Sequence, residues 1–365
     1  MKKKALYQKI FEELLGEINA GKYRVGDKLP SEKELALQYG VSIITSKQAL
    51  ELLVEQGRIV RKPGLGSFVT EQTCKEEMIS QDREEKRKKI CVIFDTFDDT
   101  FGSYILSSIE HACNQNQWDM MLQCTYGSID EEKLAISNAL NANVSGVIIM
   151  CVQDEIFNES ILRCSLENFP IVLLDRIMEG VSIPCVTTDN FAAAKELTDC
   201  LFERENAHIC FVSHQYHETP TIKERLRGFI ESNLEHQIIV SDTNKILDMH
   251  YYMVETDSMQ KNRQEDELRI HNYLKDNPQV TAFFAVQYDL ALIIYKVLLK
   301  LGLQDKIQIA VFDGPDQEMI PVPVFIRVLQ DERAMGVTAV KLLKERMEGK
   351  PAMDRVYIPY TIVTP

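Results

Sequence analysis

Residues 29–57 read LPSEKELALQYGVSIITSKQALELLVEQG, and their punctuation decides how the chain begins. Ser31 followed three residues later by Glu34 is a capping box: the serine side chain takes the first free amides of a helix, and the glutamate reaches back to the serine amide. Leu35 and Ala36 are expected to face inward, and Tyr39-Gly40 closes this short helix. Ser42 caps a second one, whose Ala49, Leu50 and Leu53 fall on one face and which Gly57 ends. Upstream, Leu6, Ile10, Leu14 and Ile18 recur at helical spacing, and Gly21 and Gly26 punctuate a loop. Downstream, RIVRKPGLGSFVT (58–70) reads as two short strands around a Pro-Gly turn.

Two short capped helices on a tight turn, with a hairpin behind, make a winged helix-turn-helix (α+β) over residues 1–70. The same geometry also serves as a plain interaction module, and capping boxes occur at many helices that touch no DNA. Charge separates these readings. The whole chain carries −14, but residues 1–70 hold twelve Lys/Arg against eight Asp/Glu, whereas the remainder holds 29 against 47. A +4 head on a −18 body fits a modular DNA binder, because only the surface facing phosphate needs positive charge.

Here the residues resemble the GntR family of winged-helix regulators. The matching pieces are LPSEKELA (29–36), VSIITSKQALELL (41–53), GRIVR (57–61) and GLGSFV (64–69). The resemblance covers about residues 5–70. It implies contacts to double-stranded operator DNA from Lys33 in the second helix and from Ser42, Ile43, Thr45 and Lys47 at the start of the third. It also implies a close approach of the wing glycines Gly64 and Gly66. Lysines stand at 33 and 47 where the family has arginines, keeping charge but losing bidentate geometry. Ile43 replaces another arginine and removes a guanine-reading contact.

Residues 71–89, EQTCKEEMISQDREEKRKK, lack apolar periodicity and read as a linker. From residue 90 short apolar runs (KICVIFD, WDMMLQC, VSGVIIM, PIVLLD, HICFVS, TAFFAV, IQIAVFD) alternate with helical stretches at 103–117, 131–141, 190–204, 222–234, 288–301 and 332–348. Such alternation implies parallel sheets covered on both faces, and its length implies two doubly wound α/β lobes over 90–365. The nine cysteines are scattered and form no C-x-x-C pair, as expected of buried free thiols in a reducing compartment. With 45% apolar residues but no run of about 18, and glutamates following the basic MKKK start, a membrane span and a secretory leader are not expected. The expectation is a cytoplasmic protein.

The body resembles LacI-type regulators, similar to periplasmic sugar-binding proteins, through FGSYILSSIE (101–110), VSGVII (144–149), IVLLDR (171–176), VTTDN (186–190), RLRGF (225–229), IAVFD (309–313) and RVLQDERAMG (327–336). With a GntR head, the combination resembles the arabinose-repressor subgroup, which implies a small-molecule, carbohydrate effector and a homodimer. Ligands of open α/β sheets sit beyond the carboxyl ends of strands, so Asp95, Asp175, Arg176, Tyr288, Asp289 and Asp313 are candidates by position. The resemblance makes Arg225 the gripping arginine and Asp313 its partner in the same lobe. It places Asp175, Phe101 and Tyr104 at the cleft in the first lobe. Tyr288 stands where the family often has Asn. Asp189-Asn190 fall at a crossover, and for Asp189 a helix cap and a ligand contact weigh equally. Strand-end turns are the alternative for Asp175 and Asp313, and an exposed helix position for Arg225.

His214-x-x-His217-Glu218 has no third ligand cluster and reads as a surface turn, so no metal is expected. No cofactor fingerprint, phosphate loop or nucleophile elbow occurs, which argues against an enzyme. The expected function is an effector-controlled repressor. The alternative is a DNA binder whose body only dimerises, recognisable by a cleft filled with its own side chains.

Overall fold

The computed structural model describes residues 6–62, 66–70, 87–152, 158–178, 180–215, 219–250, 259–315, 325–350 and 353–365. The chain divides into two compact units between Lys86 and Arg87.

The first unit holds α1 (Leu6–Asn19), α2 (Glu32–Tyr39), α3 (Ile43–Glu55) and the antiparallel strands β1 (Ile59–Lys62) and β2 (Gly66–Val69). Both arms of the capping box form: Ser31 Oγ takes the Glu34 amide, and Glu34 takes the Ser31 amide at 2.7 Å. Gly40 ends α2 at φ +63°, a left-handed turn that costs glycine little. Ser42 caps α3 through the Thr45 amide. The core is Ile10, Leu14, Leu29, Leu35, Ala49, Leu50, Leu53, Ile59 and Val69. Burying each leucine contributes about 1.5–3 kcal/mol toward offsetting the conformational entropy of so small a unit. Leu6 departs from the expected stripe and is exposed, since the end of the helix overhangs the core.

In the second unit the first lobe holds β3 (Lys89–Phe94), α4 (Ser103–Gln115), β4 (Asp119–Cys124), α5 (Ile129–Asn141), β5 (Gly146–Ile149), α6 (Glu159–Leu166), β6 (Ile171–Leu174) and β7 (Cys185–Thr188). The chain then enters the second lobe: α7 (Asn190–Phe202), β8 (Ile209–His214), α8 (Pro220–Glu235), β9 (Lys245–Met249), α9 (Met259–Asp276), β10 (Ala282–Ala285), α10 (Tyr288–Leu301), β11 (Gln308–Phe312) and β12 (Ile326–Gln330). It returns to the first for α11 (Glu332–Met347) and β13 (Arg355–Ile358), and ends in the second with β14 (Tyr360–Val363). Three crossings, at 188–190, 330–332 and 358–360, therefore join the lobes.

The first sheet runs β4-β3-β5-β6-β7-β13, parallel throughout. Its strands are buried on both faces: Ile90, Val92 and Phe94 meet α4 and α11, while Cys91 and Ile93 meet α5 and α6. The second sheet runs β9-β8-β10-β11-β12-β14, and β14 pairs antiparallel to β12. The expected parallel sheets are present in both lobes, with β14 as an antiparallel edge strand. Only Pro359 separates β13 from β14, so no crossover helix can turn the last strand round. Residues 71–86 of the expected linker lie outside the described residues. Arg87 to Lys89 belong to the body: Lys89 opens β3, and Arg87 donates to the carbonyls of Gln117 and Trp118.

Close helix packing places two glycines of the quoted motifs. A Cβ at Gly228 would meet Phe191 O of α7 at 2.3 Å, and one at Gly336 would meet Ser108 Oγ of α4 at 2.0 Å. Each lobe thus seats one helix pair at backbone distance.

Candidate functional site

In the head, Ser46 is fully buried and donates to Glu32 O (2.7 Å) and Ile43 O (3.0 Å), tying α2 to the start of α3. Arg61 of the wing reaches the same corner, pairing with Glu32 at 3.0 Å and donating to Lys47 O. These residues, which motif reading overlooked, fix the angle between helices. They leave Lys33, Ile43, Ile44 and Lys47 exposed. Ser42 and Thr45 hydroxyls bond each other at 2.9 Å at the amino end of α3. Gly66 has φ +115°, and a Cβ there would sit 2.7 Å from Lys28 Cε. Gly64 lies outside the described residues.

The cleft of the body is assembled from strand ends. Asp175 follows β6 at φ +62° and its amide donates to Val186 O of β7 at 2.7 Å. Asp313 follows β11 at φ +63° and its amide donates to Val328 O of β12 at 2.8 Å. Turn and cavity roles thus coincide: the left-handed turn, which Asp tolerates, lifts each carboxylate over the end of its sheet. Both line a cavity with about 700 Å³ of open space counted out to its mouth.

Arg225, on α8 in the second lobe, lies 6% exposed against the face of Phe312, 3.7 Å from the ring centre. Its Nε donates to Asn190 Oδ1 (2.8 Å) and Nη1 to Val286 O (2.6 Å). Burial holds its pKa below the usual guanidinium value, while Asp313 and Asp175 pull it back. No ion pair within 4 Å joins Arg225 to Asp313; both Asp313 oxygens take Gln330 Nε2, at 3.1 and 3.0 Å. Burial pushes the Asp313 pKa up to about 7, against the pull of Arg225. In the first lobe Arg176 forms a buried ion pair with Asp95 at 2.9 Å and also donates to Cys151 O. Asp95 lies beneath the cavity and takes the Gly127 amide as well. Asp175 Oδ1 is buried without a hydrogen-bond partner, and burial raises its pKa.

The description "bacterial regulatory proteins, gntR family" matches residues 6–69, and a periplasmic binding protein domain matches residues 90–351. The chain belongs to the periplasmic binding protein domain family and carries a gntR-family head. An arabinose metabolism transcriptional repressor from Geobacillus stearothermophilus is 26% identical over 375 residues, covering 100% of this chain and 98% of the relative. One from Halalkalibacterium halodurans is 24% identical, covering 92% and 88%. The crystal structure of the transcription regulator CcpA of Lactococcus lactis superposes with a TM-score of 0.65 at 18% identity, over 76% of this chain and 98% of that one, a likeness of fold. The chain is a DNA-binding transcription regulator with an effector domain, rather than an enzyme.

Within the periplasmic-binding-protein body, Phe101, Asp175, Arg176, Arg225, Tyr288, Asp289 and Asp313 all line the cavity. Three expected residues do not. Asp95 is fully buried and pairs with Arg176, which does line the cavity. Tyr104 is exposed, with Arg333 stacked 4.4 Å from its ring, because its phase on α4 turns it outward. Asp189 caps α7 through the Ala192 amide; the contribution of that crossing comes from Asn190, which holds Arg225. The cavity also recruits Thr96, Thr100, Met150, Thr221, Ile222, Gln287 and Gln330, which sequence reading missed. Being the last residue of β12, Gln330 carries the strand-end signal that exposed its neighbours. The Asp289 carboxyl is pushed up to about 6 by burial and by Asp98. Instead of lying in a loop, His214 ends β8, fully buried; His217 and Glu218 lie outside the described residues. Among the described residues no cluster of three metal-binding side chains forms, no helix is long and apolar enough to cross a membrane, and eight cysteines are unpaired. Burial pushes the Cys113 thiol up to about 12, which leaves it inert.

Proposed function

We propose that this regulator is a cytoplasmic, dimeric repressor whose hold on operator DNA is set by a carbohydrate bound between the lobes. The observation that carries this reading is a set of three oxygens on cavity-lining residues of both lobes. Asp175 Oδ1, Tyr288 Oη and Gln330 Oε1 are buried with no hydrogen-bond partner in the protein. Leaving a buried polar group unpaired costs about 1–3 kcal/mol, and sugar hydroxyls both donate and accept. The Arg225 guanidinium, held by uncharged oxygens, faces the same space. Relatives named for arabinose metabolism point to the same ligand class. A body that only dimerised would fill its cleft with side chains, and polar groups of both lobes converging on one cleft favour sensing.

For the head, Lys33, Ser42, Ile43, Thr45, Lys47 and the wing glycines Gly64 and Gly66 are the proposed contacts. Exposed lysines beside the amino end of α3 supply charge to phosphate and base edges. The test is a thermal-shift screen of sugars on the full chain, followed by gel shifts on the protein's own promoter with and without the stabilising sugar. A sugar that raises the melting temperature and changes operator affinity supports the reading; no response to any sugar ends it. Lys47→Ala should weaken operator binding by about 1–3 kcal/mol in the same gel shift.

A further inference from the structure

Tyr288 opens α10 beside the cavity and is 3% exposed. One side of its ring meets Phe325, with centroids 5.7 Å apart, and Phe325 is itself backed by the Tyr295 ring at 5.8 Å. The Cδ2–Cε2 edge of the ring faces Gly314. A Cβ at Gly314 would stand 2.5 Å from Tyr288 Cδ2 and 2.7 Å from Cε2, closer than any real contact. Gly314 also has φ +119°, outside the range of ordinary side chains. Its amide crosses the cleft and donates to Thr100 O of the first lobe at 3.2 Å. One glycine therefore seats the tyrosine ring and ties the two lobes together at that end of the cavity.

We propose that Tyr288, seated on Gly314, is the end wall that limits the effector to a single sugar ring. This rests on the reading of the cleft as a carbohydrate site. The ring packs against both Phe325 and Gly314, so swinging toward either would displace a packed aromatic or strike backbone, and interiors give little way. A second sugar unit entering there would need the volume of the phenol ring, or would have to break the Gly314–Thr100 bond. A shorter residue at 288 would open this end, and space would then no longer require glycine at 314.

The experiment is calorimetry on the full-length chain with D-glucose, D-galactose, D-ribose and L-arabinose, and with maltose, lactose and sucrose. Wild type should bind at least one monosaccharide and no disaccharide. Tyr288→Ala should bind that monosaccharide about tenfold or more weakly and gain measurable affinity for a disaccharide. Tyr288→Asn, smaller but polar, provides the same readout if the alanine variant melts without cooperativity. Gly314→Ala should weaken the monosaccharide by about tenfold by driving the ring into the cavity, and this loss should shrink in Tyr288→Ala/Gly314→Ala. Unchanged selectivity in both Tyr288 variants overturns the proposal, as does equal binding of mono- and disaccharides by wild type. A Gly314→Ala loss of the same size with and without the ring also overturns it, since backbone strain alone would then explain the effect. If wild type binds none of the seven sugars, the carbohydrate reading itself has failed and the end-wall proposal falls with it.

Discussion

Each lobe brings an arginine and a strand-end aspartate to the cleft, and the two lobes hold them in opposite ways. In the first, Arg176 is neutralised by the fully buried Asp95, while Asp175 keeps an oxygen without a partner. In the second, Asp313 is held at both oxygens by Gln330, while Arg225 donates to the uncharged oxygens of Asn190 and Val286, lies on the Phe312 face and has no carboxylate within ion-pair distance among the described residues. The backbone that presents the aspartates is nearly the same, with φ of +62° and +63°. What differs is the partner: the first lobe offers an uncommitted acceptor, and the second an uncommitted cation. A ligand spanning the cleft meets complementary chemistry from its two sides.

The largest effect that would sharpen this comparison is structural. Asp95→Asn leaves the Arg176 charge buried without its counterion and should cost about 3–5 kcal/mol, read as a lower denaturant midpoint of the body. A midpoint within error of wild type would mean that Arg176 is free for the ligand, and the contrast between lobes would break. Next comes Arg225→Ala, which should weaken effector binding by several-fold to about a hundredfold while operator binding without effector survives. Calorimetry alongside gel shifts reads both, and full effector affinity in the variant would place the grip elsewhere. Asn190→Ala removes one uncharged support of Arg225 and should cost about 1.5–3 kcal/mol of stability, less than the loss of Asp95. Reversal of that order would show that uncharged support of Arg225 outweighs charge pairing of Arg176.

The last effect is a pH dependence. Burial holds the Asp313 carboxyl near 7, above the value of about 4 in an unfolded chain, so the fold keeps a proton that the unfolded chain releases. That contribution is full below about pH 4 and is lost as pH rises through about 7. The melting temperature of wild type relative to Asp313→Asn should therefore fall between about pH 5 and 7.5 and then level off. A flat difference across that range would remove the carboxyl from the list of perturbed groups.

Much of this was legible in the sequence, for identifiable reasons. Strands buried on both faces, such as β3 and β6, appear as unbroken apolar runs. The unread strands carry polar residues or lie at edges, among them CVTT of β7, KILDM of β9 and RVYI of β13. Helix α9 escaped notice because MQKNRQEDELRIHNYLKD is polar nearly all round, with Ile270 and Leu274 its apolar anchors in the core. At the site, strand-end aspartates could be found because a polar residue directly after an apolar run stands out. Thr221 and Gln287 could not, since they join the cavity only through the way α8 and α10 begin. Tyr104 misled because a motif gives a helix its position but not its phase.

The three crossings between lobes have a mechanical consequence. Asn190, which holds Arg225, and Gln330, which holds Asp313, each sit one residue from a crossing. On the proposed reading, the groups assigned to the ligand are thus mounted beside the axle about which the lobes would turn. Parts near an axle travel little while distant ones sweep far, so a ligand seated there pushes on the short arm of a lever. Displacements too small to disturb the packed cores around it would then be magnified at the outer ends of both lobes.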